Sequence, residues 1–110
     1  MRVDAARFVP VLILFADDAS RAETWGRLLS LSPEGARLIC RAPISDGSLL
    51  LLEFEVFGDA FKGIEAAVTG VSIDPDGYSV AVLNFKKTTD RLVIGRAVRR
   101  VVASDLPDTR

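Results

Sequence analysis

Six short apolar runs, each closed by a turn signal, restrict this chain to a small antiparallel β fold. The runs are rich in Val, Ile, Leu and Phe, which suit half-buried strands, and Gly, Pro, Asp and Ser separate them. The clearest separator is Asp74-Pro75-Asp76-Gly77, because proline presets one backbone dihedral and glycine permits a positive φ. We predict strands over residues 8–15, 23–30, 35–41, 49–57, 61–73 and 78–85.

Individual residues within these runs carry more specific expectations. In the second run we expect Trp25 and Leu29 to lie in the core. Glycine inside a strand often marks a bulge, so Gly26 predicts a bulge or bend in the second strand. By the same reasoning, the long fifth strand is expected to bulge near Gly63 or Gly70.

After the last strand, the spacing of apolar residues changes from alternation to helical spacing, which predicts one C-terminal helix. A threonine supplies a helix N-cap, and an apolar stripe at helical spacing follows over Ile94, Ala97, Val98, Val101 and Val102. Gly95 costs such a helix about 1 kcal/mol relative to alanine, so it is expected to permit close packing. The sequence therefore predicts one mostly-β domain over 1–110, with an N-terminal arm (1–7), a six-stranded antiparallel barrel (8–85) and a C-terminal helix (88–104).

Composition excludes several classes of function. Of 110 residues, 49% are hydrophobic, so a core forms without disulfides or metal. The chain has no histidine and a single cysteine, Cys40, which argues against a zinc site, a Ser-His-Asp triad and enzymatic function. A net charge of −1 gives no general attraction for DNA or RNA. The apolar run 8–15 is too short to span a bilayer, so we expect a cytoplasmic domain without membrane insertion.

The segment 26–39 is a strand, a polar turn and a second strand, and it contains Ser30-x-Ser32-x-x-Gly35. This pattern resembles the second signature of PilZ domains, (Asp/Asn)-x-Ser-x-x-Gly, with Ser30 at the position of the acid or amide. The run 80–85 is similar to the last strand of that family, which ends in Phe before the helix. An arm with arginines, six strands and a C-terminal helix follow the family's order, so the resemblance covers nearly the whole chain.

The resemblance implies a receptor for cyclic di-GMP, a bacterial second messenger, with no resident cofactor. In the family, an Arg-x-x-x-Arg arm pairs with guanine and phosphate, because a guanidinium matches the guanine O6 and N7 acceptors. Arg7 matches the second arginine, whereas the first falls at Val3, one residue after Arg2. A serine hydroxyl cannot reproduce the bidentate pattern of a carboxylate. The implied ligand-binding residues are Arg2, Arg7, Ser30, Ser32 and Gly35.

A second hypothesis stays open beside the receptor. The departures at Val3 and Ser30 also suit an adaptor that has lost nucleotide binding and contacts an unidentified protein partner. In that case Ser32 would cap its own turn and Gly35 would serve to permit a positive φ. Arg37 and Arg41, on one face of the third strand, would either extend a phosphate-binding surface or simply be solvated.

Overall fold

The chain forms a closed six-stranded barrel with one C-terminal helix. The computed structural model describes the backbone of residues 3–56 and 58–105 and the side chains of 9–56 and 58–100. The strands pair antiparallel in the order β1-β2-β3-β6-β5-β4, and β1 pairs with β4 to close the barrel. This confirms the mostly-β barrel that the sequence predicts. The elements are β1 Val3–Phe15, β2 Thr24–Leu31, β3 Gly35–Cys40, β4 Leu49–Val56, β5 Asp59–Ile73, β6 Ser79–Phe85 and α1 Thr88–Asp105.

The core lies inside the barrel and extends to the helix. Side chains point alternately inward along most of each strand, as the pleat requires, and the largest fully buried apolar ones are Val11, Ile13, Leu38, Leu50, Leu52 and Phe85. The helix adds Ile94, Ala97 and Val98 to the same apolar cluster. The predicted helical stripe is thus confirmed at these three positions, while the side chains of Val101 and Val102 lie outside the described residues.

Two expectations about the first two strands are wrong. β1 begins at Val3, so the backbone of residues 3–7 continues the strand instead of forming a separate arm. Trp25 is 64% exposed and Leu29 is half-buried, whereas Leu28 is buried. Side chains alternate between the two faces of a strand, so Trp25, three residues before inward-facing Leu28, faces outward. A bulge at Leu29 then breaks this alternation.

The bulges of β5 lie where its glycines indicate. One residue of β4, Glu53, opposes two of β5, Lys62 and Gly63, and Gly63 has φ +65°. Just before Gly70, Thr69 is an extra residue of β5 with no partner of its own on β6. Gly26 does not mark a bulge. A side chain there would come within 2.6 Å of the Ile39 carbonyl oxygen, so Gly26 lets β2 and β3 approach closely.

Candidate functional site

The turn between β2 and β3 is closed by its own polar groups. The Ser32 amide donates to the Gly35 carbonyl over 2.8 Å. The Ser32 hydroxyl donates to the same carbonyl and accepts from the Gly35 amide, each over 3.2 Å. Ser32 therefore caps its own turn, as the structural alternative predicts. Contact between Ser32 and a ligand stays a prediction.

Gly35 is required by a close approach to β6. A Cβ at this position would lie 1.9 Å from the Leu83 carbonyl oxygen, a distance that no side chain can occupy. Gly35 pairs with Asn84 in the β3–β6 register and is not among the glycines with positive φ. The expectation that Gly35 permits a positive φ is wrong, because the crowding of two backbones selects glycine here.

Contacts from β6 and α1 hold the turn from outside. The Phe85 amide donates to the Glu34 carbonyl over 2.9 Å, and the Arg91 Nε donates to the Phe85 carbonyl over 2.8 Å. Pro33 packs on the helix at Gly95, where an added Cβ would lie 3.5 Å from the proline Cβ. The Gly95 packing confirms the close approach that the sequence predicts. The turn is thus fixed in place before any ligand arrives.

Ser30 lies at the end of β2, just before this turn, and is buried. Its side chain is 2% exposed, and its backbone pairs with Arg37 on β3 and with Asp4 on β1. The Leu29 bulge precedes it immediately. Ser30 therefore presents little surface to solvent, whereas the side chain of Arg37 beside it is exposed.

The beginning of β1 runs alongside Ser30. Val3 pairs with Leu31 and Asp4 with Ser30, but the next regular pair is Val9 with Leu28. Between the pairs Asp4–Ser30 and Val9–Leu28, β1 has four residues (5–8) and β2 has only Leu29. Residues 5–8 therefore form an irregular segment with three extra residues. Arg7 belongs to this segment by its backbone. Its side chain, and the whole of Arg2, lie outside the described residues.

Arg37 on β3 and Arg41 just after it have different surroundings. The Arg41 Nε donates to the Tyr78 hydroxyl over 3.1 Å, and its guanidinium carbon lies 5.5 Å from the centre of that ring. Arg41, the residue after β3, is therefore engaged with Tyr78, the residue before β6, at the end of β3 remote from the turn. Arg37 pairs with Ser30 in the register, which places an exposed cation beside the motif. The sequence pattern places both arginines on one face of the predicted strand, so it does not predict that their contacts differ.

Two further ionisable groups among the described residues have shifted pKa values. Burial raises the pKa of the Cys40 thiol, which keeps it protonated and unreactive. Hydrogen bonds from Ser20 lower the pKa of Asp18, a fully exposed group far from the turn in sequence. Among the described side chains, no three His, Cys, Asp or Glu residues are grouped so as to hold a metal ion. In the same part of the chain, no helix has the length and apolar character needed to cross a membrane.

Comparison with known families assigns the chain. Residues 2–100 match the PilZ domain, so the match covers the whole barrel and most of the helix. The chain belongs to the PilZ domain family. A search of curated proteins found no match.

Solved structures with the same fold include both long and short proteins. YcgR from Escherichia coli in complex with c-di-GMP superposes with a TM-score of 0.75 at 16% identity, covering 94% of this chain and 45% of YcgR. The inhibitor of motility MotI/DgrA from Bacillus subtilis gives 0.69 at 17% identity, covering 96% and 51%. The PilZ domain of CeSA from a cellulose-synthesizing bacterium gives 0.64 at 16%, covering 93% and 98%. The chain spans about half the length of the first two, and at these identities the likeness shows the fold alone.

Proposed function

We propose that this domain binds cyclic di-GMP at the junction of the β1 start and the β2–β3 turn. The observation that carries the proposal is the pairing of Asp4 with Ser30 and of Val3 with Leu31. This pairing sets the arginine-bearing segment against the strand that leads into Ser32–Gly35. Family membership and the ligand named for YcgR support the same site.

Each residue type in this junction suits one part of the ligand. Arg7 and Arg2 would supply guanidinium groups for the paired acceptor edge of guanine and for the phosphates. Exposed Arg37, level with Ser30, would add a further cation for a phosphate. The fixed turn that Ser32 and Gly35 form would offer a rigid surface beside the ligand.

Ser30 lowers the affinity that we expect. A charged hydrogen bond contributes about 1.5–3 kcal/mol, so replacing a carboxylate by a hydroxyl weakens binding roughly tenfold to a hundredfold. We therefore expect weak to moderate binding, with Arg7 as the main determinant. The role is that of a non-catalytic signalling module of the cytoplasm, in which ligand binding changes the surface presented to a protein partner.

Two observations favour the second candidate, an adaptor that does not bind nucleotide. The Ser30 side chain is 2% exposed, and the Ser32 hydroxyl makes both of its hydrogen bonds within its own turn. The two motif hydroxyls are thus occupied or covered by the fold itself. Under this hypothesis the turn is retained because it joins β2, β6 and α1, and the function resides in contacts with another protein.

Calorimetric titration with cyclic di-GMP separates the two candidates. We expect micromolar binding by the unaltered domain and a loss of at least tenfold in affinity for Arg7→Ala. Arg96→Ala, which removes an exposed arginine from α1, is the matched control and should bind normally. Cyclic di-AMP should bind poorly, because adenine lacks the O6 acceptor. Absence of binding at near-millimolar ligand would reject the receptor and favour the adaptor.

A further inference from the structure

The arginines of the C-terminal helix differ in whether the fold already uses their charge. The Arg91 Nε donates to the Phe85 carbonyl, and Arg100 forms an ion pair with Asp59. Arg99 is exposed and has no hydrogen bond or ion pair with any residue in the described part of the chain. Its charge is therefore available to a ligand.

Arg99 lies beside the turn between β2 and β3. Gly95 precedes it by four positions, and residues four apart share one face of a helix. A Cβ added at Gly95 would lie 3.9 Å from the Arg99 Nη1 and 3.5 Å from the Pro33 Cβ. Because both distances start from the same point, these two atoms are at most 7.4 Å apart. The glycine thus leaves the guanidinium uncovered next to Pro33, which lies within the Ser32–Gly35 turn.

The turn therefore lies between two basic segments of the chain. On one side, Ser30 pairs with Asp4 in the arginine-bearing start of β1. On the other side, Pro33 packs on α1 at Gly95, where the Arg99 guanidinium lies. Cyclic di-GMP carries two phosphates, on opposite sides of its ring, and each has a full negative charge. A ligand seated on the turn needs a cation on each side, and the start of β1 supplies only one side.

We propose that the Arg99 guanidinium binds a phosphate of the dinucleotide at this turn. The inference rests on the proposed function and adds to it a contact from the helix. A phosphate suits Arg99 better than a guanine edge, because bidentate reading of a base needs a guanidinium plane that is held in place. No hydrogen bond to a described residue holds Arg99 in that way, and exposed Glu34 of the same turn does not pair with it.

Calorimetric titration of cyclic di-GMP into three variants tests the contact. Arg99→Gln should weaken binding about fivefold, the upper end for an exposed ion pair, because the bound ligand partly covers it. Arg99→Lys keeps the charge and should bind within about twofold of the unaltered domain. Arg96→Gln is the matched control, since Arg96 is exposed but points about 100° around the helix from Gly95, and it should bind normally.

Two further readouts separate a ligand contact from a structural effect. The thermal unfolding midpoint of Arg99→Gln should equal that of the unaltered domain, because Arg99 is exposed and holds nothing in the described fold. Raising NaCl from about 50 mM to about 0.5 M should narrow the difference in affinity between the two, since salt screens an exposed ion pair.

The outcomes distinguish this inference from the proposed function. Normal binding by Arg99→Gln, while Arg7→Ala loses affinity, would overturn the Arg99 contact and leave the proposed receptor standing. Equal losses in Arg99→Gln and Arg99→Lys, or in Arg99→Gln and Arg96→Gln, would also overturn the phosphate contact. Absence of binding by the unaltered domain would overturn both.

Discussion

At the scale of single residues, the turn depends on Gly35 through packing and not through backbone dihedrals. The Leu83 carbonyl oxygen lies 1.9 Å from the place where a Cβ would stand. Nothing in the residue pattern distinguishes this reason from a positive φ, because the crowding comes from β6, far along the chain. The Ser-x-x-Gly pattern therefore predicts the turn but not the contact that makes its glycine necessary.

Gly35→Ala should lower the free energy of unfolding by at least about 2 kcal/mol, because two backbones would have to separate. Gly70→Ala is the control: it has open space around its Cβ position and no positive φ, so its stability should change by less than about 1 kcal/mol. Urea denaturation measures both. Equal effects of the two substitutions would contradict the packing argument.

Cys40 links burial to the pH dependence of stability. Burial raises the pKa of its thiol, so the folded protein retains that proton at pH values where the unfolded chain loses it. The contribution of Cys40 to the free energy of unfolding is fully present below the pKa of the unfolded thiol, about 8.5, and is lost as the pH rises beyond it. The free energy of unfolding should therefore fall more steeply above that pH in the unaltered protein than in Cys40→Ala. Parallel profiles would contradict this prediction.

At the scale of elements, the contact between α1 and the β2–β3 turn determines how the site is held. The helix could be predicted from its apolar stripe, and its close packing from Gly95. The residue that packs against Gly95 could not be predicted, because Pro33 precedes Gly95 by some sixty positions and only the closed barrel brings the two together. The extension of β1 to Val3 could not be predicted for a similar reason: that pairing depends on β2 and not on the local sequence of residues 3–7.

The Gly95 contact gives a graded prediction. A Cβ at this position makes an ordinary contact of 3.5 Å with Pro33, so Gly95→Ala should raise the free energy of unfolding by up to about 1 kcal/mol through helix propensity. Gly95→Leu places further carbons against the proline and should lower it by about 1–3 kcal/mol. Urea denaturation of both variants checks the order. Equal free energies of unfolding for the two variants would show that the helix does not pack tightly against the turn.

At the scale of the whole molecule, the barrel and its family can be predicted from the strand spacing and the turn motif. Whether the motif residues can contact a ligand cannot be predicted from them. Alternation predicts correctly that Arg37 lies on the exposed face of β3, but the bulge at Leu29 breaks the alternation of β2, so its buried residues Leu28, Ser30 and Leu31 do not share one parity. The same bulge at Leu29 directly precedes Ser30, whose side chain is buried. Whether Ser30 contacts a ligand therefore depends on a local irregularity that a motif cannot encode.

The most direct test of the account is a titration of the isotopically labelled domain with cyclic di-GMP, followed by backbone amide NMR. We expect the largest shifts at residues 3–9 and 30–35, on either side of the β1–β2 junction, with little change in the Asp74–Gly77 turn at the far end of β5 and β6. Unchanged spectra at near-millimolar ligand, or shifts confined to another face of the barrel, would contradict the proposed site.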